Sequence, residues 1–388
     1  MKSSRRDFLK SGLACAAAAA LPSCSKEEKG QIELNLKYPL VKRTLGRTGI
    51  EIPIISAGAN SWDESVFYAA MASGMILLDT DHMYRNGKHE KFVGKVLKRR
   101  PRDSMFVSTR INSRMDGTGE GLLKRFEKCI SNLKVDYLDL LSLHSVSSIA
   151  ETTYPPFLEV FQNLKNSGRT RFLGVSVHGY EPDVMRAAVD CGVYDVIFVS
   201  YNFKQRHREE IRKAVAYAAD AGLGIIAMKT QAGAFLDKAR TRPVNHRAAI
   251  KWVLSDTNVH TAIPGFKNLE QMDMYLSVMN DLELTPEERV DLSMAHSQEG
   301  LYCQQCGRCT GQCIHSVEIP LYMRAYMYAY GYRNPGQARE TIAGVSPAAP
   351  PCSNCQKCSV SCTMGFDVRD RVLDIARVLE VPEDFLSV

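Results

Sequence analysis

The chain has 388 residues, of which 45% are hydrophobic and 24% charged, with 12 cysteines and a formal net charge of +6. That length suits one large domain and a smaller one, and the composition excludes a disordered or collagen-like chain. The apolar stretch at residues 12–22 is too short to span a membrane.

The first 24 residues have the organisation of an export signal: a basic start, an Ala-rich apolar stretch, then small residues. Arg5 and Arg6, followed by Phe8, Leu9 and Lys10, resemble the twin-arginine signal S-R-R-x-F-L-K. This resemblance implies export of an already folded protein. Cys24, after Leu21-Pro22-Ser23, resembles a lipoprotein cleavage site, although Pro22 departs from its usual pattern; simple cleavage nearby is the other reading. Acylated there, the protein is anchored to the membrane without spanning it. Residues 25–37 then read as a polar tether. Loss of residues 1–23 removes four basic residues and one acid, which takes the charge from +6 to +3 and leaves no argument for nucleic acid.

From residue 38 to 284, short runs rich in Ile, Val, Leu and Phe alternate with helical patterns. Strands are expected at residues 54–57, 75–80, 105–110, 137–144, 172–178, 196–201, 222–229 and 261–265. Helices are expected at 121–133, 154–165, 182–190, 208–221 and 245–254. Eight such units match a (β/α)8 TIM barrel in count and length. A doubly wound sheet competes, but GANSWDE after the first strand lacks its glycine-rich phosphate turn. Ahead of the barrel, VKRTLGRTGIEIP reads as a hairpin turning at Thr48-Gly49 and closing the barrel's N-terminal end.

Chemistry in such barrels gathers at the C-terminal ends of the strands. Read in order, those ends carry Asp79 and Tyr84, Arg110, His144, Ser176 and His178, Asn202, Lys229, and Gly265 to Asn268. Packing alone does not account for so many polar groups facing one mouth.

The segments RTLGRTGIEIP, LLDTDHMYRNGKHEKFVGKVL, VDYLDLLSLH, FLGVSVH and AIPGFKNLEQ resemble the aldo-keto reductases over residues 38–284. The resemblance implies carbonyl chemistry with NADP(H) or NAD(H) and an Asp-Tyr-Lys-His tetrad. Asp79, Tyr84 and His144 match three members; Arg110 stands at the lysine position. A cation there is expected to lower the tyrosine pKa from its ordinary value near 10. A guanidinium supplies that charge on a wider, planar group that does not deprotonate. The resemblance further implies that Ser176 contacts the nicotinamide amide, with Val177 in place of the usual Asn. It also implies that Gly265, Lys267 and Asn268 form the phosphate turn, beside a helix N-terminus.

Cys303-x2-Cys306-x2-Cys309-x3-Cys313 is repeated as Cys352-x2-Cys355-x2-Cys358-x3-Cys362. Four thiolates on consecutive short turns suit a [4Fe-4S] cluster. Disulfides would crowd at this spacing, and zinc would leave the third cysteine of each triplet surplus. The runs resemble two-cluster ferredoxins, which implies that each fourth cysteine serves the other cluster. Cys303, Cys306, Cys309 and Cys362 would then hold one cluster, and Cys352, Cys355, Cys358 and Cys313 the other. Ile314 and Thr363 replace the usual proline, and the long separation containing IPLYMRAYMYAYGY favours a small, mainly helical ferredoxin-like domain over residues 285–388. Cys129 and Cys191 read as core thiols.

Together these parts describe an exported oxidoreductase, periplasmic or anchored as a lipoprotein. Its barrel acts on a small carbonyl, alcohol or sugar substrate, and its two [4Fe-4S] clusters relay electrons to a redox partner protein. The alternative is an iron–sulfur electron-transfer or ligand-binding protein on a catalytically altered aldo-keto reductase scaffold.

Overall fold

A computed structural model describes residues 37–58, 63–112, 117–297, 300–343, 351–355, 357–382 and 385–386. The signal, Cys24 and the tether up to residue 36 lie outside the described residues.

The leading hairpin pairs β1 (Lys42–Thr44) antiparallel with β2 (Glu51–Pro53). Its loop contains a 3-10 turn over Gly46–Thr48 and leaves it at Gly49, in the left-handed region with φ 69°. This loop plugs the bottom of the barrel. The Arg47 amide donates to Gly222 O, and a Cβ on Gly46 would meet the Gly224 nitrogen at 2.4 Å, so only glycine fits.

The barrel then runs α1 (Glu64–Ala72), β3 (Leu77–Asp79), α2 (Lys88–Leu97), β4 (Phe106–Asn112), α3 (Gly119–Leu133) and β5 (Leu138–Val146). It continues with α4 (Ile149–Thr152), α5 (Pro155–Asn166), β6 (Thr170–Val177), α6 (Glu181–Asp190) and β7 (Val196–Ser200). Next come α7 (Arg208–Asp220), β8 (Gly224–Met228), α8 (His246–Leu254), β9 (Thr261–Ala262) and α9 (Leu269–Ser277). Strands β3 to β9 form one parallel seven-stranded sheet in sequence order.

The first expected strand, residues 54–57, is not a regular strand. It contributes isolated parallel bridges from Ile55 to Ala262 and from Ala57 to Leu78, which join the two edges of the sheet. Thus seven strands and one bridging stave occupy the eight positions. The stave follows Pro53, which has no amide to donate, and each of its two bridges reaches a different neighbour.

Period-two alternation inside the barrel explains the site above it. Leu77, Phe106, Leu140, Val196, Phe198 and Ile226 pack together with Leu45 and Ile52 of the hairpin. One or two steps further up the same strands stand Asp79, Ser108, Arg110, Ser142 and His144, all buried. Outside, Leu122, Phe126 and Leu133 of α3 join the main core, and Cys129 is fully buried among them. Cys191 caps α6, its thiol donating to Ala188 O at 3.4 Å.

Helix α10 (Pro286–Ser297) packs on the barrel through Leu292 and Ala295 against Ala248 and Ala249. Lys251, 1% exposed, is ion-paired with Glu288 at its start. A separate core begins after it, built on α11 (Ile319–Tyr326), a π-helical turn at Met327–Gly331, α12 (Pro335–Ala343) and α13 (Val368–Ala376). Among the described residues this part has no strand, as expected for a mainly helical domain.

Candidate active site and cysteine loops

Asp79 ends β3, Arg110 lies on β4 and His144 on β5. Arg110 Nη2 reaches Asp79 Oδ2 at 2.6 Å and donates to the Tyr84 hydroxyl at 3.1 Å. Its Nε donates to Thr80 O at 3.4 Å, and its guanidinium carbon lies 5.2 Å from the Phe198 ring. Three of the four expected tetrad positions are therefore joined by one guanidinium. Burial pushes the Asp79 carboxyl up to about 6, against the opposing pull of Arg110.

The expected lowering of the tyrosine pKa does not occur. Burial pushes the Tyr84 phenol above its ordinary value, and Arg110 offsets only part of that rise. Desolvation of the phenolate outweighs a cation that Asp79 already half neutralises. Tyr84 is held as a proton donor.

His144 stands 6.3 Å from Tyr84, ring to ring, with Nδ1 2.7 Å from Asp81 Oδ2. Burial lowers the His144 pKa to about 4, despite Asp81. Burial also penalises the Asp81 carboxylate, but His144 and His82 outweigh this and hold it well below the ordinary range. The pair is therefore neutral imidazole with carboxylate, and a proton on Nδ1 leaves Nε2 as the ring's acceptor. Asp81 was not picked from the sequence, although its spacing of two from Asp79 was the available signal.

The histidine network continues across the mouth. The His144 and His178 rings are 5.2 Å apart, and His178 Nδ1 lies 3.1 Å from Lys229 Nζ. Burial, then Lys229 and Arg324, hold the His178 pKa well below its usual value. Burial and then Arg324 lower Lys229 to about 7. Arg324, on α11, and Tyr328, in the π-helical turn, reach this mouth from the C-terminal core. Nothing in the sequence pattern marked either residue.

The expected nicotinamide residues are dispersed. Ser176 is fully buried, with Oγ 3.1 Å from His178 Nε2, so its hydroxyl is engaged within the protein. Gly265 precedes the exposed Lys267, whose amide donates to Gln271 Oε1 at 2.8 Å. Asn268 caps α9 by accepting from the Gln271 amide.

None of the eight C-terminal cysteines is in a disulfide. Cys303 interacts with Cys306, Cys309 and Cys362, and Cys352 with Cys313, Cys355 and Cys358. The fourth cysteine of each run is thus close enough to interact with the first cysteine of the other run. Burial pushes Cys303 up to about 12 and Cys309 up to about 11. The Gln305 amide donates to Cys303 Sγ at 3.3 Å and the Met364 amide to Cys362 Sγ at 3.4 Å. Gln312 binds the second run by accepting from the Ser361 amide at 2.8 Å. Among the described residues, no three His, Cys, Asp or Glu side chains close tightly round a single ion.

The first cysteine loop docks on the barrel mouth. The Tyr180 hydroxyl donates to Gly307 O at 2.5 Å, and Arg206 reaches Thr363 O at 3.4 Å. A cleft is lined by Asn202, Lys229 and Phe235 from one side and Tyr302, Cys303 and Gln305 from the other; Asp79, Tyr84, Arg110 and His144 are not in its lining.

Comparison with known proteins agrees with this arrangement. The family model described as aldo/keto reductase family matches residues 63–248. A twin-arginine translocation pathway signal matches residues 2–22 and a 4Fe-4S dicluster domain residues 302–367. The chain is 23% identical over 305 residues to the Bacillus subtilis (strain 168) uncharacterized oxidoreductase YqkF, covering 67% of this chain and 98% of that one. It is 24% identical over 299 residues to L-galactose dehydrogenase of Arabidopsis thaliana, covering 65% and 92%. A solved aldo-keto reductase from Bacillus halodurans, in its holo form, superposes with a TM-score of 0.57 at 21% identity, covering 69% of this chain and 99% of that one. Along one chain, the match to the aldo-keto reductase family model is thus preceded by a twin-arginine signal match and followed by a 4Fe-4S dicluster match.

Proposed function

We propose that this chain is an exported oxidoreductase that interconverts a small carbonyl compound and its alcohol, of sugar type, at the barrel mouth. The observation that carries this reading is the Asp79–Arg110–Tyr84 relay beside His144. Tyr84, kept protonated by burial, gives its proton to the oxygen of a carbonyl being reduced. Arg110, 3.1 Å away, then stabilises the phenolate, and Asp79 keeps the guanidinium in place. His144, oriented by Asp81, accepts a hydrogen bond from a substrate hydroxyl. Amide and aromatic side chains of the cleft, Asn202, Gln305, Phe235 and Tyr302, suit a polyhydroxylated ligand.

A nicotinamide dinucleotide, NADP(H) or NAD(H), would supply or take the hydride. Lys267 and the turn from Gly265 to Asn268 fit its phosphate, whereas Ser176 would have to release His178 to serve its amide. The cysteine grouping fits two [4Fe-4S] clusters, one on Cys303, Cys306, Cys309 and Cys362 and one on Cys352, Cys355, Cys358 and Cys313. Each group brings four interacting thiols, the number that a cubane binds. The clusters pass single electrons to an external redox protein.

No helix among the described residues is long and apolar enough to cross a membrane. We propose lipid attachment at Cys24 after removal of residues 1–23, with 25–37 as tether, 38–284 as barrel and 285–388 as the cluster-bearing part.

A second reading, an electron-transfer or ligand-binding protein, is favoured by the engaged Ser176 hydroxyl and by the cysteine loop seated on the mouth. One experiment separates the two. The protein is purified anaerobically from its export route, and its iron, sulfide and bound nucleotide are measured, with turnover assayed on aldoses and sugar alcohols. About eight irons with nucleotide and turnover support the first reading, and about eight irons without either support the second.

A further inference from the structure

The two cysteine groups are not equivalent with respect to the barrel. Cys303 and Lys229 line opposite sides of one cleft, and the charges of the two interact. Lys229 lies at the end of β8 with φ 55°, the left-handed backbone that an L-residue adopts only where its surroundings impose it. Its ammonium is held between His178 Nδ1, at 3.1 Å, and the Tyr328 ring, at 5.6 Å. The barrel, through His178, and the C-terminal core, through Tyr328, thus hold one lysine between them at the cleft that Cys303 also lines. That loop is fixed to the barrel by the Tyr180–Gly307 hydrogen bond. Gln305, 5% exposed, locks it on the other side by donating to both Cys303 Sγ and Pro320 O.

We propose that the cluster on Cys303, Cys306, Cys309 and Cys362 is the barrel-facing cluster, and that Lys229 is the barrel residue whose positive charge sets its reduction potential. This rests on the reading that these cysteines hold a cluster. A [4Fe-4S] core with four thiolates carries a net charge of about −2 and passes to about −3 on taking one electron. That uptake makes and breaks no bond. A fixed cation beside one of the thiolates favours the more negative state, and the effect falls with distance, so the second group is affected far less.

The test is an anaerobic redox titration of the full-length holoprotein with mediator dyes, followed by electron paramagnetic resonance. Wild-type protein, Lys229→Met and Lys229→Arg are compared at about pH 6, where Lys229 carries its charge. Two signals and about eight irons in the wild type establish the underlying reading; fewer overturn that reading first. Given two signals, Lys229→Met is expected to shift one of them to lower potential by about tenfold in its reduction equilibrium, about 59 mV for one electron. The other signal stays in place, and Lys229→Arg, which keeps the charge, restores the first. Equal shifts in both signals, no shift in either, or failure of arginine to restore the first would overturn the proposal. Should the methionine variant lose iron, Lys229→Gln is titrated in its place with the same outcomes.

Discussion

Arg110 donates to the Tyr84 hydroxyl at 3.1 Å from the same nitrogen that reaches Asp79 at 2.6 Å. A single guanidinium nitrogen thus serves both the buried carboxylate and the proton donor. Arg110→Met should remove the stabilised phenolate and leave Asp79 buried without a cation. Breaking such a pair costs about 3–5 kcal/mol of stability, and loss of the acid's support costs roughly 10²–10⁴ in rate. Arg110→Lys keeps the charge but loses the Nε contact to Thr80 O. It should retain the fold and measurable turnover, checked by thermal unfolding and by kcat on the substrate that the wild type turns over.

Tyr84→Phe isolates the proton. The phenol is not the only group holding Arg110, since Asp79 and Thr80 remain. The variant should therefore fold normally, while kcat falls by roughly 10²–10⁴ and KM changes little. A matching fall in substrate affinity, measured by calorimetry, would show that Tyr84 binds rather than protonates.

The pKa of His144 gives a stability prediction with a definite sign. Burial lowers it to about 4 from the ordinary 6.5. The unfolded chain therefore takes up its proton first as pH falls, and stability drops between pH 6.5 and 4. Asp79, raised to about 6, works the other way, its contribution being lost as pH rises from 3.8 through 6. Substituting His144 by Gln removes the histidine contribution, while Asp81 keeps His82 as its partner. From pH 7 to pH 5 the wild type should lose about 2 kcal/mol more than His144→Gln, read from urea midpoints at the two pH values.

How far the sequence disclosed these features depends on how local each one is. Seven strands, the hairpin plug and the positions of Asp79, Tyr84, Arg110 and His144 follow from period-two and helical patterning within short segments. The bridging stave at residues 54–57 was legible as a hydrophobic run, but its reduction to two bridges depends on both sheet edges. Asp81 was recoverable from its spacing, whereas the upward shift of Tyr84 depends on how much water the assembled mouth excludes. Arg324 and Tyr328 had no signal at all, because they enter the site only when a distant core docks. Export charge follows the same logic. On the proposed reading, the mature +3 plus about −4 from two clusters gives about −1, so the basic balance of the whole chain would not be that of the exported protein.

Cross-ligation of the clusters can be read from single cysteine variants. Cys362 interacts with the triplet of the first run, and Cys313 with that of the second. Cys362→Ser should therefore abolish the cluster that Lys229→Met perturbs and leave the other. Cys313→Ser should do the reverse. Each variant should retain about four of eight irons, and resonance spectra combined with Lys229→Met decide which signal survives. Loss of the same signal from Cys362→Ser and Cys358→Ser would instead mean that each run serves its own cluster.

Docking of the first cysteine loop on the barrel rests on a close approach that Gly307 alone permits. Its φ is 74°, and a Cβ there would meet the Tyr180 ring at 2.4 Å. Gly307→Ala combines left-handed strain, about 1–3 kcal/mol, with displacement of a part-buried tyrosine that donates to the Gly307 carbonyl. Tyr180→Phe removes only that hydrogen bond, at about 1 kcal/mol. The alanine variant should make the C-terminal part markedly more open to limited proteolysis and hydrogen exchange, whereas the phenylalanine variant should change both only slightly. If docking also governs what Lys229 does to the near cluster, Gly307→Ala should shift the same resonance signal as Lys229→Met. Tyr180→Phe, which keeps the ring in place, should leave that signal where it is.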